Sequence, residues 1–93
     1  MIEWDPTKNK KNKAKHKISF ELASLVFEDK LRQTRPNGVV GNEQRFETIG
    51  MVHGELLVLV VHTWLDMDGT EYIRIISARK AIKHERKSYE QAN

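Results

Sequence analysis

The sequence has no cysteine and no hydrophobic run long enough to form a membrane-spanning helix. The missing cysteine excludes disulfide bonds, thiolate nucleophiles and zinc sites with Cys ligands. The longest aliphatic run, residues 56–61, has the length of a strand and is far shorter than the roughly 20 residues that cross a bilayer as a helix. The N-terminus is polar and basic and lacks the apolar stretch of a secretory signal. We therefore expect a cytoplasmic protein without membrane contact.

Motifs of the common metal and nucleotide enzymes are also missing. The histidines show neither His-x-His nor His-Glu-x-x-His spacing, and no acidic cluster suits a two-metal nuclease. There is no Walker A motif and no Gly-x-Ser-x-Gly nucleophile motif. Segment 66–69 is similar to the start of a calcium loop, but its glycine comes too early and a hairpin turn explains it better. We expect no metal site and no cofactor.

What the chain does contain is a moderate core and an uneven charge. Its 93 residues are 39% hydrophobic and 31% charged, which is typical of one small globular domain spanning 1–93. The net charge of +3 divides into +4 for residues 1–17 (six lysines, two acids), −5 for 18–73 (four cations, nine acids) and +4 for 74–93 (six cations, two acids). If the basic ends meet, they form a patch suited to nucleic acid. Two solvated helix faces are the alternative.

Two helices are predicted near the N-terminus, after a short strand at residues 2–4. Asp5 and Pro6 form a typical helix start, and the helix continues to about His16. This helix has almost no apolar residue, so burial of a hydrophobic face cannot hold it in place. Ser19 then caps a second, amphipathic helix that ends near residue 28.

A loop rich in turn-forming residues follows, and after it the pattern predicts a β-meander closed by a helix. We predict strands at 45–52, 55–64 and 71–77, and a final helix capped by Ser77. The second strand is expected at the centre of the sheet because it contains the aliphatic run. The fold class is α+β: an N-terminal strand and two helices, an antiparallel sheet of three to four strands, and a C-terminal helix.

The first helix carries a candidate nucleic-acid-binding stripe. Lys8, Asn12, Lys15 and His16 recur at helical spacing and share one face, with Lys11 beside them. Cations and hydrogen-bonding groups in one stripe suit phosphates and base edges. Histidine is the side chain best suited to proton transfer near neutral pH, so His16 is the candidate for this role. A solvated face of ordinary lysines is the alternative.

A second candidate site is the predicted start of the last helix. Its free N–H groups, the hydroxyl of Ser77 and the guanidinium of Arg79 could hold a phosphate together. Lys83 is expected further along this helix, where the dipole favours a cation. Arg45, on a strand, suits stabilisation of transition-state charge. Structural ion pairs are the alternative for Arg45 and Arg79.

Taken in order, these residues resemble the BrnT family of ribonuclease toxins from type II toxin–antitoxin pairs. The matching residues are Trp4-Asp5, Lys8, Asn12, Lys15-His16, Phe20, Ala23, Phe27, Asp29, Arg45-Phe46, Ile49-Gly50, Ile76-Ser77-Ala78-Arg79, Ala81, Glu85-Arg86 and Tyr89. The chain departs from the family at Lys17, where members usually have glycine. This puts the turn between the first two helices in question, because a lysine there would strain a left-handed conformation.

The resemblance implies a RelE-like fold and a metal-independent endoribonuclease that arrests translation. It also implies a BrnA-type antitoxin with a ribbon-helix-helix domain, which neutralises the toxin and alone contacts operator DNA. We assign catalysis to His16, Arg45 and Arg79, and RNA binding to Lys8, Lys11, Asn12, Lys15, Ser77 and Lys83. A non-catalytic nucleic-acid-binding module and a structural domain for an acidic protein partner are the competing hypotheses.

Overall fold

The structure, a computed structural model, describes residues 1–92. The helices are Pro6–His16 (α1), Phe20–Ser24 (α2), continued by a 3-10 turn at Leu25–Glu28, and Lys83–Ala92 (α3). The strands are Ile2–Trp4 (β1), Gln33–Val40 (β2), Glu43–Val52 (β3), Leu56–His62 (β4), Leu65–Met67 (β5) and Thr70–Lys80 (β6). None of the helices in this part of the chain is long and apolar enough to cross a membrane.

The strands form one mixed sheet in the order β1-β6-β4-β3-β2, and β5 pairs with β6 as a hairpin. β1 runs parallel to β6, and the other pairs are antiparallel. The α+β class is confirmed. The predicted antiparallel sheet of three to four strands was too small, since six strands are present and one pair is parallel. β4 lies at the centre, as expected.

The hydrophobic core fills the space between one sheet face and the helices α1 and α2. Its buried members are Ile18, Phe20, Ala23, Val26, Val52, Val58, Val60, Ile75 and Ala78. Gly50 belongs to this face, and a Cβ added there would lie 2.8 Å from Val26 Cγ1 and 2.9 Å from its carbonyl oxygen. Glycine is therefore needed at this position for close approach of β3 to the 3-10 turn.

Helix α1 begins and ends as the sequence indicates. Asp5 Oδ1 accepts the Thr7 N–H at 2.8 Å, and Pro6 occupies the first helical position. The helix ends at Lys17, whose φ of 62° and ψ of 23° are left-handed, and whose N–H reaches Lys13 O at 2.9 Å. The position where family members usually have glycine is therefore left-handed here, with a lysine in it.

Two asparagines attach this polar helix to the rest of the fold. Asn12 is buried; its Nδ2 donates to Ile18 O at 2.9 Å and to Ala78 O at 2.8 Å, and its Oδ1 accepts the Ala78 N–H at 3.1 Å. Asn9 accepts the Phe20 N–H through Oδ1 at 2.8 Å. Asn12 thus satisfies the free edge of β6 as a neighbouring strand would. Hydrogen bonds, rather than an apolar face, dock α1.

The predicted helix start at Ser77 was wrong, because β6 continues to Lys80. Ser77 is paired with Val61, and Arg79 with Leu59. The register shifts by one residue before Ser77, so that Ile75 and Ala78 both point into the core. Core residues three positions apart imitate a helical period, which explains the error.

The predicted loop before the meander was also wrong in part. Gln33–Val40 forms β2, an edge strand paired with β3, and its register is irregular between Pro36 and Val39. A proline lacks the N–H that a central strand needs, but an edge strand tolerates it. The turn-forming residues therefore mark an interrupted edge strand as well as a hairpin.

Candidate functional site

Two of the predicted site residues project from the sheet face that lies away from α1 and α2, which we call the outer face. Ser77 and Arg79 are paired with Val61 and Leu59 of β4. The alternate β4 residue Val60 points into the core, so these two β4 side chains point the other way. Directly paired residues share a face, which places Ser77 and Arg79 on the outer face.

Arg45 lies on the outer face too, because it precedes Glu47 by two residues and Glu47 is paired with Val61. The Arg45 side chain is 23% exposed, and its buried Nε has no hydrogen-bond partner among the described residues. Glu43 Oε1 is 3.8 Å from this Nε and accepts a 2.7 Å hydrogen bond from Arg74 instead. Arg45 is therefore less tightly paired than Arg79.

Arg79 is held by a bidentate ion pair with Glu85. Its two terminal nitrogens lie 2.8 and 3.0 Å from the two carboxylate oxygens. These hydrogen bonds raise the pKa of Arg79 and lower the pKa of Glu85, although burial of Glu85 opposes the second shift. Arg79 therefore forms a structural ion pair, with a partner in α3 rather than in the acidic central segment. Its side chain remains 39% exposed.

The phosphate site predicted at the last helix terminus does not exist as proposed. Ser77 and Arg79 belong to β6, and α3 begins at Lys83. Glu85 caps the true start of α3, because its Oε1 accepts the Ile82 N–H at 3.0 Å. Lys83 stands in the first turn of α3, not late in the helix as expected. Ser77 and Arg79 share a face because they lie two residues apart on β6, and not because of a helix terminus.

A cleft of about 210 Å³ opens between α3 and the outer face. Its lining residues are Gln33, Thr34, Arg35, Glu47, Ile49, Leu59, His84, Glu85 and Ser88. Arg35 Nε donates to Glu47 Oε1, and Asn37 Nδ2 donates to Glu47 Oε2 at 3.0 Å. The sequence did not indicate Arg35, because the pattern of β2 predicts a loop, and no local motif singled out Glu47 or His84. The period-two alternation along β3 could have shown that Glu47 shares a face with Arg45.

The cationic stripe predicted on α1 keeps its three lysines at the surface. Lys8, Lys11 and Lys15 are exposed. The prediction has to be corrected at Asn12. Its buried side-chain amide forms hydrogen bonds with the backbone of β6 and does not lie on the exposed stripe. His16 is half-buried in the last turn of α1. The stripe stands at the edge of β6, since Asn12 bonds to that edge, and it is not part of the outer face.

His62 is a structural histidine in the core. Its Nδ1 lies 2.8 Å from Thr63 O and so carries the proton, which leaves Nε2 to accept from Thr48 Oγ1 at 2.7 Å. Burial lowers the pKa of His62. Among residues 1–92, no three His, Asp or Glu side chains lie close enough together to hold a metal ion.

Comparison with known proteins decides the family. A family model described as "Ribonuclease toxin, BrnT, of type II toxin-antitoxin system" matches residues 4–85. This chain belongs to the BrnT family. The 1.1 Å crystal structure of the Brucella abortus ribonuclease toxin BrnT is similar, with a TM-score of 0.60 and 28% identity, covering 89% of this chain and 100% of that one. No curated protein shows a significant match.

Several residues that carry the BrnT resemblance hold the fold together. Asp29 joins three elements, because its Oδ1 accepts the Leu31 N–H at 2.8 Å and its Oδ2 accepts the Met51 N–H at 2.7 Å and the Tyr89 hydroxyl at 2.6 Å. Burial disfavours its charge, but these hydrogen bonds keep the pKa of Asp29 below its usual value. Burial and the contact with Asp29 raise the pKa of Tyr89 to about 12. In this BrnT-family chain, Asp29 and Tyr89 anchor α3.

Proposed function

We propose that this chain is a metal-independent endoribonuclease toxin that cleaves RNA in the cytoplasm and thereby arrests translation. Membership of the BrnT family supports the ribonuclease class. The observation that carries the proposal is the outer face of the sheet, from which Arg45 and Arg79 both project with part of each side chain exposed. Cations held on a rigid sheet are suited to stabilise charge that develops on a phosphate.

Metal-free cleavage of RNA begins with attack of the ribose 2′-oxygen on the adjacent phosphorus. We assign neutralisation of the phosphorane charge to Arg45 and Arg79, with the Ser77 hydroxyl beside them as a hydrogen-bonding group for the RNA. The exposed cations Lys8, Lys11, Lys15 and Lys83 bind the RNA backbone on either side. Two histidines are candidates for proton transfer, His16 on α1 and His84 in the cleft.

The family also implies an antitoxin partner. We propose that the partner is a BrnA-type antitoxin with a ribbon-helix-helix domain, and that operator DNA is contacted only through it. Its neutralising surface would have to cover one of the two candidate RNA-binding surfaces, either the α1 stripe or the outer face. Purified antitoxin should therefore protect one of these surfaces from hydrogen exchange. Co-expression of the antitoxin with the toxin should restore growth.

Growth of bacteria that express the protein tests the proposal. The wild type should arrest growth, and Arg45→Gln should relieve the arrest because it removes a cation with little ion pairing to lose. Lys30→Gln, at an exposed lysine outside both basic surfaces, is the matched control and should remain toxic. Arg79→Ala is less informative, because it leaves the buried carboxylate of Glu85 without its partner.

The salt dependence of RNA affinity tests the phosphate contacts, and the integrity of the bound RNA tests cleavage. RNA affinity should fall steeply as salt rises, because phosphate contacts release counterions. A protein that binds RNA in this way but leaves it intact and causes no arrest would be a non-catalytic nucleic-acid-binding module. Affinity that does not change with salt would contradict the phosphate contacts themselves.

A further inference from the structure

We propose that Glu47 and His84 are the general base and the general acid of the cleavage reaction, an inference that rests on the proposed endoribonuclease activity. Both side chains line the cleft between α3 and the outer face. Glu47 projects from β3 in the sheet, and His84 from the first turn of α3. A proton acceptor and a proton donor on different walls of one cleft can serve the two sides of a phosphate placed between them.

The carboxylate of Glu47 is fixed in orientation. Oε1 accepts from Arg35 Nε, and Oε2 accepts from Asn37 Nδ2 at 3.0 Å. Its side chain is only 13% exposed. Each carboxylate oxygen has about two acceptor positions, so both oxygens can still accept a further proton. A preoriented carboxylate with little water around it suits a base that deprotonates a 2′-hydroxyl.

The position of His84 is set by its neighbour in the chain. Glu85 is anchored twice, by Arg79 and by the Ile82 N–H, so the first turn of α3 is fixed against the sheet. His84 and Glu85 line the same cleft as Glu47, which places the imidazole among the charged groups of that cleft. His16 is on α1 and does not line this cleft.

The charged groups beside the pair are Arg35 on β2, Arg79 on β6 and Glu85 on α3. The Arg35 side chain is 66% exposed, so its terminal nitrogens can donate to an RNA phosphate while its Nε keeps the bond to Glu47. Arg79 remains 39% exposed beside the cleft. The cleft thus supplies a base, an acid and two cations, which is a complete set for metal-free transphosphorylation.

The step balances without a cofactor. Glu47 takes the proton of the 2′-hydroxyl, the 2′-oxygen forms a bond to phosphorus, and the bond from phosphorus to the 5′-oxygen breaks. The protonated imidazole of His84 gives its proton to the leaving 5′-oxygen. The products are a 2′,3′-cyclic phosphate and a 5′-hydroxyl, and Glu47 and His84 exchange protons with water to restore their starting states.

Single-turnover cleavage of a short RNA oligonucleotide in EDTA tests this assignment. Glu47→Gln and His84→Gln should each lower the rate by about 10²–10⁴-fold, the usual contribution of acid–base catalysis. Glu55→Gln and His53→Asn are matched controls at the exposed hairpin between β3 and β4, and they should cleave at the wild-type rate. Far-UV circular dichroism and thermal unfolding of each variant establish that it is folded.

Two further measurements separate a chemical role from a structural one. The wild-type rate should be bell-shaped in pH, and His84→Gln should lose the fall at high pH, because the acid no longer needs to be protonated. An RNA with sulfur in place of the leaving 5′-oxygen should restore cleavage by His84→Gln, since a thiolate leaves without a proton. The same substrate should not restore cleavage by Glu47→Gln, which lacks the base.

The outcomes distinguish this inference from the proposed function. If folded wild-type protein leaves RNA intact, the endoribonuclease proposal fails. If the wild type cleaves RNA and folded His84→Gln and Glu47→Gln cleave as fast, the endoribonuclease proposal stands and this inference is overturned. Loss of cleavage in His16→Gln together with full activity of His84→Gln would move the proton transfer to α1.

Discussion

Glycine at position 17 should make the protein more stable than alanine at the same position. Lys17 ends α1 in the left-handed region, with φ 62° and ψ 23°. This conformation costs a residue with a Cβ about 1–2 kcal/mol, which glycine avoids. The greater freedom of glycine in the unfolded chain offsets about 0.5–1 kcal/mol of that gain. We therefore expect glycine to be about 1 kcal/mol more favourable than a residue with a Cβ at this position.

Lys17→Ala is the matched control, because both variants remove the cation near the C-terminus of α1 and they differ only in the Cβ. The comparison therefore cancels the interaction with the helix dipole, about 0.3–1 kcal/mol. Thermal unfolding followed by circular dichroism measures the difference. For a domain of this size, about 1 kcal/mol corresponds to a difference in Tm of about 4–8 °C. An alanine variant that melts as high as the glycine variant would refute the strain argument.

Three other predictions concern the contacts that hold the fold. Asn12→Leu should lower the free energy of unfolding by more than about 3 kcal/mol, because three buried backbone groups lose their partner; urea unfolding measures this. The free energy of unfolding should fall as the pH drops below about 6.5, because His62 takes up a proton more readily in the unfolded chain than in the folded protein. Urea midpoints measured between pH 7.5 and 5.5 should show this pH dependence in the wild type, and His62→Gln should remove it. Arg79→Gln should destabilise more than the double variant Arg79→Gln/Glu85→Gln in the same assay, since only the single variant leaves a buried unpaired carboxylate.

The parts of the fold that could be predicted are those set by local chemistry. Asp5 and Ser19 cap the helices that follow them, as their side chains and position in the sequence indicate. His53 and Gly54 turn the chain between β3 and β4, both with positive φ. β4 lies in the centre of the sheet because, among the strands of residues 1–92, it alone has an aliphatic run that is apolar on both faces.

The errors arose where tertiary contacts override a local pattern. The bulge in β6 places Ile75 and Ala78 on one side and imitates a helix. β2 contains Pro36, and only its place at the sheet edge makes it a strand. Asn12 is a similar case in the candidate site. Its helical spacing predicts a place in the lysine stripe, but its side-chain amide bonds to the free edge of β6. Local spacing alone contains no information about that edge.

The candidate site divides in the same way. Arg45 and Arg79 could be nominated from residue type and resemblance, but only strand register shows that they share the outer face. The cleft could not be predicted, because it needs β2 in the sheet and α3 across it. The ion pair between Arg79 and Glu85 could not be predicted either, because the local pattern predicts residues 77–80 as helix and not as strand.

Cleavage of a defined RNA oligonucleotide by the purified protein in excess EDTA tests the central claim most directly. Wild-type protein should convert the RNA to fragments that end in a 2′,3′-cyclic phosphate and begin with a 5′-hydroxyl, identified by mass spectrometry, and Arg45→Gln should form them at a strongly reduced rate. RNA that stays intact with folded wild-type protein, or that is cut only when a divalent metal is restored, would contradict the account.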